Sequence, residues 1–218
     1  MASIYIVFSA TPYKMGKMIR TVLRSRYNHI SLSFDKDLST MYTFARFHEN
    51  MPLYGGFVSE SPRRYQRDEH HAQLKVCRVE VTEENYIALR EFVSRMELRS
   101  RKYIYNLYSA MFTPLHVRLL IRDSYTCAEF VGDALSIAGM NIPMGAFHSL
   151  KELERLLAPH VIYEGPCALY IDEPVWGEDR FPEKLGRFSG TAATARSIGR
   201  LTARGILGLC MAVICRLS

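Results

Sequence analysis

Two side chains have the types and settings that acyl transfer needs. Cys127 follows the polar run Arg122-Asp123-Ser124 and opens a helical pattern over residues 125–138. Unpaired amides and the macrodipole at a helix N-terminus favour a thiolate over a thiol. The same amides can hold the oxyanion of a tetrahedral intermediate. A cysteine on a helix is more often a small core residue, but core positions sit mid-helix and Cys127 sits at the start. His29 is the partner that cysteine chemistry requires. It begins the stretch HISLSFD, where His29, Ser31, Ser33 and Asp35 alternate with Ile30, Leu32 and Phe34. Alternation of this kind puts His29 on a polar strand face. Of the other histidines, His70-His71 falls in a charged run and reads as solvated.

The elements that position this pair follow from periodicity. Residues 3–9 read as a strand, being too short for the apolar region of a secretory signal. Residues 14–24 place Met15, Met18, Ile19, Val22 and Leu23 on one helical face opposite basic residues. Residues 29–35 and 41–47 read as a hairpin. Residues 48–72, broken by Pro52, Gly55-Gly56 and Pro62, read as a long loop with a short strand near Phe57-Val58. Residues 73–81 are a strand. Thr82 opens a helix with Glu83 and Glu84 in its first turn. Residues 103–112 read as helical, and Ser149 caps a helix ending at Leu157. Short strands follow near 161–163 and 167–171. Strands and helices segregate, which is an α+β pattern.

Composition narrows the classes. Five cysteines at 77, 127, 167, 210 and 215 form no CxxC pair, so neither a disulfide framework nor a structural zinc site is expected. Neither a cofactor nor a metal site is expected. A reducing, cytoplasmic setting fits this cysteine usage. Cys77 and Cys167 read as packing residues. The net charge is +6, but residues 187–218 hold five arginines and no acid, leaving the remainder near neutral. A nucleic-acid-binding face is therefore not expected. We divide the chain into a domain over residues 1–173, a linker over 174–192 and a basic, apolar helical tail over 193–218.

The tail carries Arg196, Arg200 and Arg204 at intervals of four, then the uncharged run GILGLCMAVIC. That run is too short to span a bilayer but suits an interfacial helix on anionic lipid. Acylation of Cys210 or Cys215 is a further option. Packing on the domain or on a second subunit is an equal alternative for the tail.

The runs YNHISLSFD, MYTFARF, GGFVSE, VTEENY, KYIYN and YTCAEFVGDAL, in that order, resemble the circularly permuted branch of the papain-like NlpC superfamily. Within it they are nearest the small bacterial YiiX-like proteins. The resemblance covers roughly residues 3–172. It implies a small barrel or curved antiparallel sheet packed against a cysteine-bearing helix, with Cys127 as nucleophile and His29 as base. It also implies a polar orienting group from the strand after the histidine, which points to Tyr42 or Thr43, although neither is the residue type usual at such a site. Asp35 shares the His29 face but lies about 20 Å along a straight strand. Glu60 could approach from the loop.

Candidate substrate contacts are Asn28, Arg46, Glu60 and Tyr125. Arg46 could clamp a carboxylate or phosphate, or be a surface cation. Asn28 could be a turn residue, and Glu129 is more simply structural. The implied activity is hydrolysis of an amide, peptide or isopeptide. The alternatives are lipid acyl transfer or thioester hydrolysis of the lecithin retinol acyltransferase-like type, or a degenerate domain that docks on a membrane or a partner.

Overall fold

A computed structural model describes residues 1–67, 70–171, 179 and 181–217; the side chains of 66–71 and of the last ten residues lie outside the description. The chain starts with β1 (Ala2–Ala10), α1 (Lys14–Leu23), β2 (His29–Ser33), β3 (Met41–Arg46) and β4 (Gly55–Glu60). A small hairpin, β5 (Gln66–Arg67) and β6 (His70–His71), leads to β7 (Gln73–Val81) and α2 (Glu83–Leu98). Then come β8 (Ile104–Tyr105), α3 (Leu107–Phe112), β9 (Ser124–Tyr125) and α4 (Cys127–Ile137). The last elements are α5 (Leu150–Leu156), β10 (Val161–Pro166), α6 (Cys167–Tyr170) and α7 (Arg187–Leu217).

The fold is α+β. Six strands form one antiparallel sheet in the order β10-β7-β1-β2-β3-β4. Near-continuous apolar sequence in β1 is explained by burial on both faces. Ile4, Ile6 and Phe8 join Ile30, Leu32, Phe44 and the inward residues of α2 and α4 in the larger core. Tyr5 and Val7 face Met41, Tyr65, Leu74 and Val76 on the other side.

Three expectations need correction. Residues 48–72 are not mainly loop: β4 pairs along its whole length with β3. The glycines that suggest a turn are instead demanded by close approach. A Cβ on Gly55 would lie 2.5 Å from the Ala45 carbonyl oxygen, and one on Gly56 2.5 Å from that of Tyr103. Residues 103–112 begin as the strand β8 before Asn106 caps α3. Cys167–Tyr170 is a helical turn, not a strand, because Tyr163 and Tyr170 pack ring against ring at 4.8 Å and fold the chain back.

Part of the expected 174–192 linker lies outside the described residues. Those described at its end are pinned to the turn after β3. Glu49 N–H donates to the Phe181 carbonyl at 2.9 Å, and Asn50 exchanges two hydrogen bonds with Leu185. The helix α7 then runs back along the domain. Arg200 and Arg204 donate to the backbone carbonyls of Arg101, Lys102, Arg122 and Asp123. Two of the three arginines of the expected basic stripe thus reach the domain's carbonyls; Leu201 is fully buried and Arg204 half-buried, while Arg196 and Arg200 stay exposed. Among the described residues, no helix is long and apolar enough to cross a membrane.

Candidate active site

The helix α4 starts on Cys127 because its N-terminus is capped twice. Thr126 Oγ1 accepts from Glu129 N–H, and the Glu129 carboxylate accepts from Thr126 N–H at 2.7 Å. Glu129 is 2 % exposed and also receives the Ser109 hydroxyl at 2.6 Å and faces Arg118. It is structural, fixing both the start of the helix and the loop beside it. This cap leaves the amides of Cys127 and Ala128 as the first-turn donors for an anion.

His29 is the first residue of β2 and is buried. Its Nε2 lies 3.1 Å from Oε1 and 3.2 Å from Oε2 of Glu60, the last residue of β4. Cys127 stands near enough to act on the ring's protonation together with Glu60. With Nε2 committed to Glu60, Nδ1 is the nitrogen left for the sulfur. Burial alone would strip the His29 proton, but Glu60 and Cys127 outweigh it and raise its pKa to about 10. Burial likewise opposes the Glu60 charge, yet His29, Arg64 and Ser31 hold that carboxyl down at about 2.

Glu60 is gripped from all sides. The hydroxyls of Ser31 and Tyr65 both donate to Oε1. Arg64 Nη1 stands 3.3 Å from Oε2. Ser31 belongs to the polar face read from HISLSFD, but that face is a sealed seam rather than an open cleft: Ser31 and Ser33 are fully buried.

Cys127 also lines a groove of about 410 Å³. Its walls are Met15, Met18, Ile19, Val22 and Leu23 of α1, Leu53, and Leu107, Ala110 and Met111 of α3. The apolar face of α1 is spent on this groove, since Gly16 is the helix's one buried residue. Tyr105 also lines the groove. Burial and the neighbouring Cys127 and Glu129 keep its phenol protonated far above the usual range, so it is a donor facing the nucleophile's end of the groove. His29 lies behind, on a smaller cavity of about 70 Å³ shared with Asn28, Arg46, Arg64, Tyr65 and Phe181.

The chain matches no protein-family model, no curated protein and no solved structure.

The expected residues divide as follows. Cys127, His29 and Glu60 meet, but Glu60 is the partner of His29 rather than a substrate contact. Tyr42 does not join them. It is cross-strand from Leu32 and so lies on the opposite face of the sheet from His29. Its ring stacks on Phe57 and meets Phe34 edge-on. Thr43 is occupied by the Ile30 carbonyl at 2.8 Å. Asn28 lines the groove, but its amide is used internally: Oδ1 accepts from Thr11 N–H and from Arg20, and Nδ2 donates to Thr11. Arg46 lines the groove and donates to the Glu49 carbonyl while its guanidinium covers Phe181. Tyr125 packs on Phe44 under the Arg118 guanidinium and does not line the groove. Cys77 and Cys167 are buried, and burial pushes both thiols up to about 12, which suits packing residues.

The residues that the pattern missed are Tyr65, Arg64, Tyr105 and Asp179. A Glu-x-x-x-Arg spacing from Glu60 to Arg64 was the one available signal. Nothing in the sequence ties Asp179 to the site.

Proposed function

We propose that the protein is a cysteine-dependent acyl hydrolase or transferase built on a permuted papain-like, NlpC-type domain. One observation carries this reading: the His29 ring is hydrogen-bonded to the buried Glu60 carboxylate and feels Cys127, which lines a groove. The order of histidine strand before cysteine helix, and the packing of α4 on an antiparallel sheet, support the permuted assignment. A degenerate binding domain was attractive while the histidine lacked an orienting group; Glu60 removes that ground.

In the proposed reaction, His29 takes the Cys127 proton and Sγ attacks the carbonyl carbon. The oxyanion is met by the first-turn amides of α4, with the Tyr105 phenol as a further donor. Collapse breaks the bond to the leaving group, which takes the proton from His29. An acyl-thioester remains on Cys127. Water, or an acceptor nucleophile, then gives its proton to His29, attacks the thioester and regenerates the thiol.

The groove favours the lipid-acyl alternative over a peptide. Its size is that of a small-molecule pocket. Its walls are mostly methionine and aliphatic side chains, with Arg46, Thr113, His148 and Ser149 among the polar exceptions. The substrate class we assign is an ester, thioester or amide with a long apolar acyl group.

The test is covalent capture. Incubated with a long-chain p-nitrophenyl ester, the wild type is expected to carry the acyl mass on Cys127 in peptide mass spectrometry, and Cys127→Ala none. A short-chain ester should react at least tenfold more slowly. Equal acylation of wild type and Cys127→Ala would sink the reading. A preference for a peptide amide over the long-chain ester would restore the peptidase alternative.

A further inference from the structure

We infer that Asp179 is a positioning residue of the active site, so that the segment ahead of α7 completes the catalytic charge arrangement; this rests on the Cys127–His29 reading above. Arg64 is the link. Its Nε donates to Asp179 Oδ2 at 2.9 Å and its Nη2 to Asp179 Oδ1 at 3.0 Å, a bidentate clamp. Its Nη1 faces Glu60 at 3.3 Å. The side chains of Arg64, Asp179 and Glu60 are 7 %, 2 % and 0 % exposed, so water screens none of these interactions.

Charge counting gives Asp179 its role. Without it, the buried group behind His29 would be one carboxylate, Glu60, and one guanidinium, Arg64. That pair is neutral and offers an imidazolium little. With Asp179 the group gains a second carboxylate against Arg64, making the charge behind His29 more negative by one unit and helping it retain its proton. Asp179 also turns two of the three guanidinium nitrogens away from Glu60. A freed Arg64 would compete with His29 for the same carboxylate oxygens.

The other groups around the arrangement do not replace it. Ser31 and Tyr65 donate to Glu60 as neutral hydroxyls. Tyr13 donates to the Arg64 carbonyl at 2.9 Å. Arg46 adds a second positive charge beside Arg64, whose Nη1 donates to the Arg46 carbonyl at 3.2 Å, and both guanidinia lie over the Phe181 ring at 5.2 and 4.7 Å. Glu49 and Tyr105 act on Arg46, and Tyr105 also feels Cys127.

Asp179 is built in rather than adventitious. Its oxygens also accept from Ser61 N–H at 3.2 Å and Phe181 N–H at 2.8 Å. The residues after it are clasped by the turn at 48–50: His48 Nδ1 meets the Glu183 carbonyl at 2.9 Å, and Asn50 Nδ2 donates to the Leu185 carbonyl at 2.8 Å. Asn50 lines neither cavity and so can be changed without touching groove or triad.

The experiment follows the His29 ring by NMR titration of the full chain, with site-resolved alkylation of Cys127 by iodoacetamide across pH. The variants are Asp179→Asn, Asp179→Glu and Asn50→Ala, with thermal unfolding to confirm folding. In the wild type, His29 should keep its proton well above the ordinary histidine range. In Asp179→Asn its midpoint should fall by at least one pH unit, about a tenfold loss of imidazolium at a given alkaline pH. Asp179→Glu should restore most of the shift. Asn50→Ala, which loosens the clasp but keeps every charge, should move it part-way in the same direction. A folded Asp179→Asn with the wild-type titration overturns the inference. If Asp179→Asn does not fold, an unmoved midpoint in Asn50→Ala overturns it. A wild-type His29 that titrates as an ordinary histidine, with Cys127 alkylating as an ordinary thiol, would sink the catalytic reading itself.

Discussion

At the residue scale the candidate site pairs a buried histidine with a buried carboxylate, and the protonation of that pair bears on stability and, in the proposed mechanism, on activity. In the proposed mechanism, loss of the His29 proton removes the acid that protonates the leaving group, so kcat/KM is expected to fall on the alkaline side near pH 10. Glu60→Gln removes the charge that holds this proton; the alkaline limb should then move down by several pH units and kcat should drop at least a hundredfold. A Glu60→Gln profile that overlays the wild type would rule Glu60 out as the orienting group. The same pair shapes stability. The contribution of Glu60 is complete above its ordinary 4.5 and is lost as pH falls toward about 2. That of His29 is complete below its ordinary 6.5 and is lost as pH rises toward about 10. Urea midpoints should therefore peak between about pH 4.5 and 6.5, and Glu60→Gln should flatten both flanks. Cys127 and His29 were legible because each sits at the first position of its element, where local pattern speaks. Tyr42 misled because strand order alone says which strand neighbours His29, whereas parity of register decides which face a side chain takes.

At the element scale, two short signatures hold the site and one was misread. The capping box around Thr126 and Glu129 sets where α4 begins, and hence where Cys127 stands. Thr126→Ala should lower stability by about 1 kcal/mol, read from chemical denaturation, and should lower kcat more than KM because the first-turn amides shift. If kcat is unchanged in that variant, those amides do not hold the oxyanion. The strand β4 hid inside an apparent loop because Gly55 and Gly56 look like a turn. Their lack of side chains in fact admits neighbouring backbone. Gly55→Ala puts a methyl against the Ala45 carbonyl and should cost about 1–3 kcal/mol. A near-neutral Gly55→Ala would mean that the β3–β4 approach is looser than described. Misreading β4 as loop is also why Glu60 looked like a mobile substrate contact, when pairing with Met41 fixes it beneath His29.

At the scale of the whole molecule, the α+β class could be read in advance. The placement of the tail could not, because Arg200 and Arg204 are used by backbone carbonyls that no sequence pattern marks. The groove likewise combines helices far apart in the chain. An apolar helix face left without a core partner is stabilised by whatever fills the slot. A long-chain acyl ligand at a hundred times its Kd should therefore raise stability by about 2.7 kcal/mol. Val22→Glu, at an exposed groove position, should raise KM for a long-chain substrate and leave that for an acetyl ester within twofold. Equal effects on both would place the acyl chain elsewhere.

If Asp179 positions the site as inferred, the clasp that seats it bears on the order of events during synthesis. Cys127, His29 and Glu60 have all been made once the chain has passed α4, yet Arg64 has no second carboxylate until residue 179 follows. A nascent chain with α4 already folded would hold its thiol beside a histidine that gives up its proton readily. Full reactivity would switch on only as the last helix swings back and the turn at 48–50 closes over the segment ahead of it. On the proposed function, assembly in this order leaves the thiol least able to acylate itself or its surroundings while the chain is still unfinished.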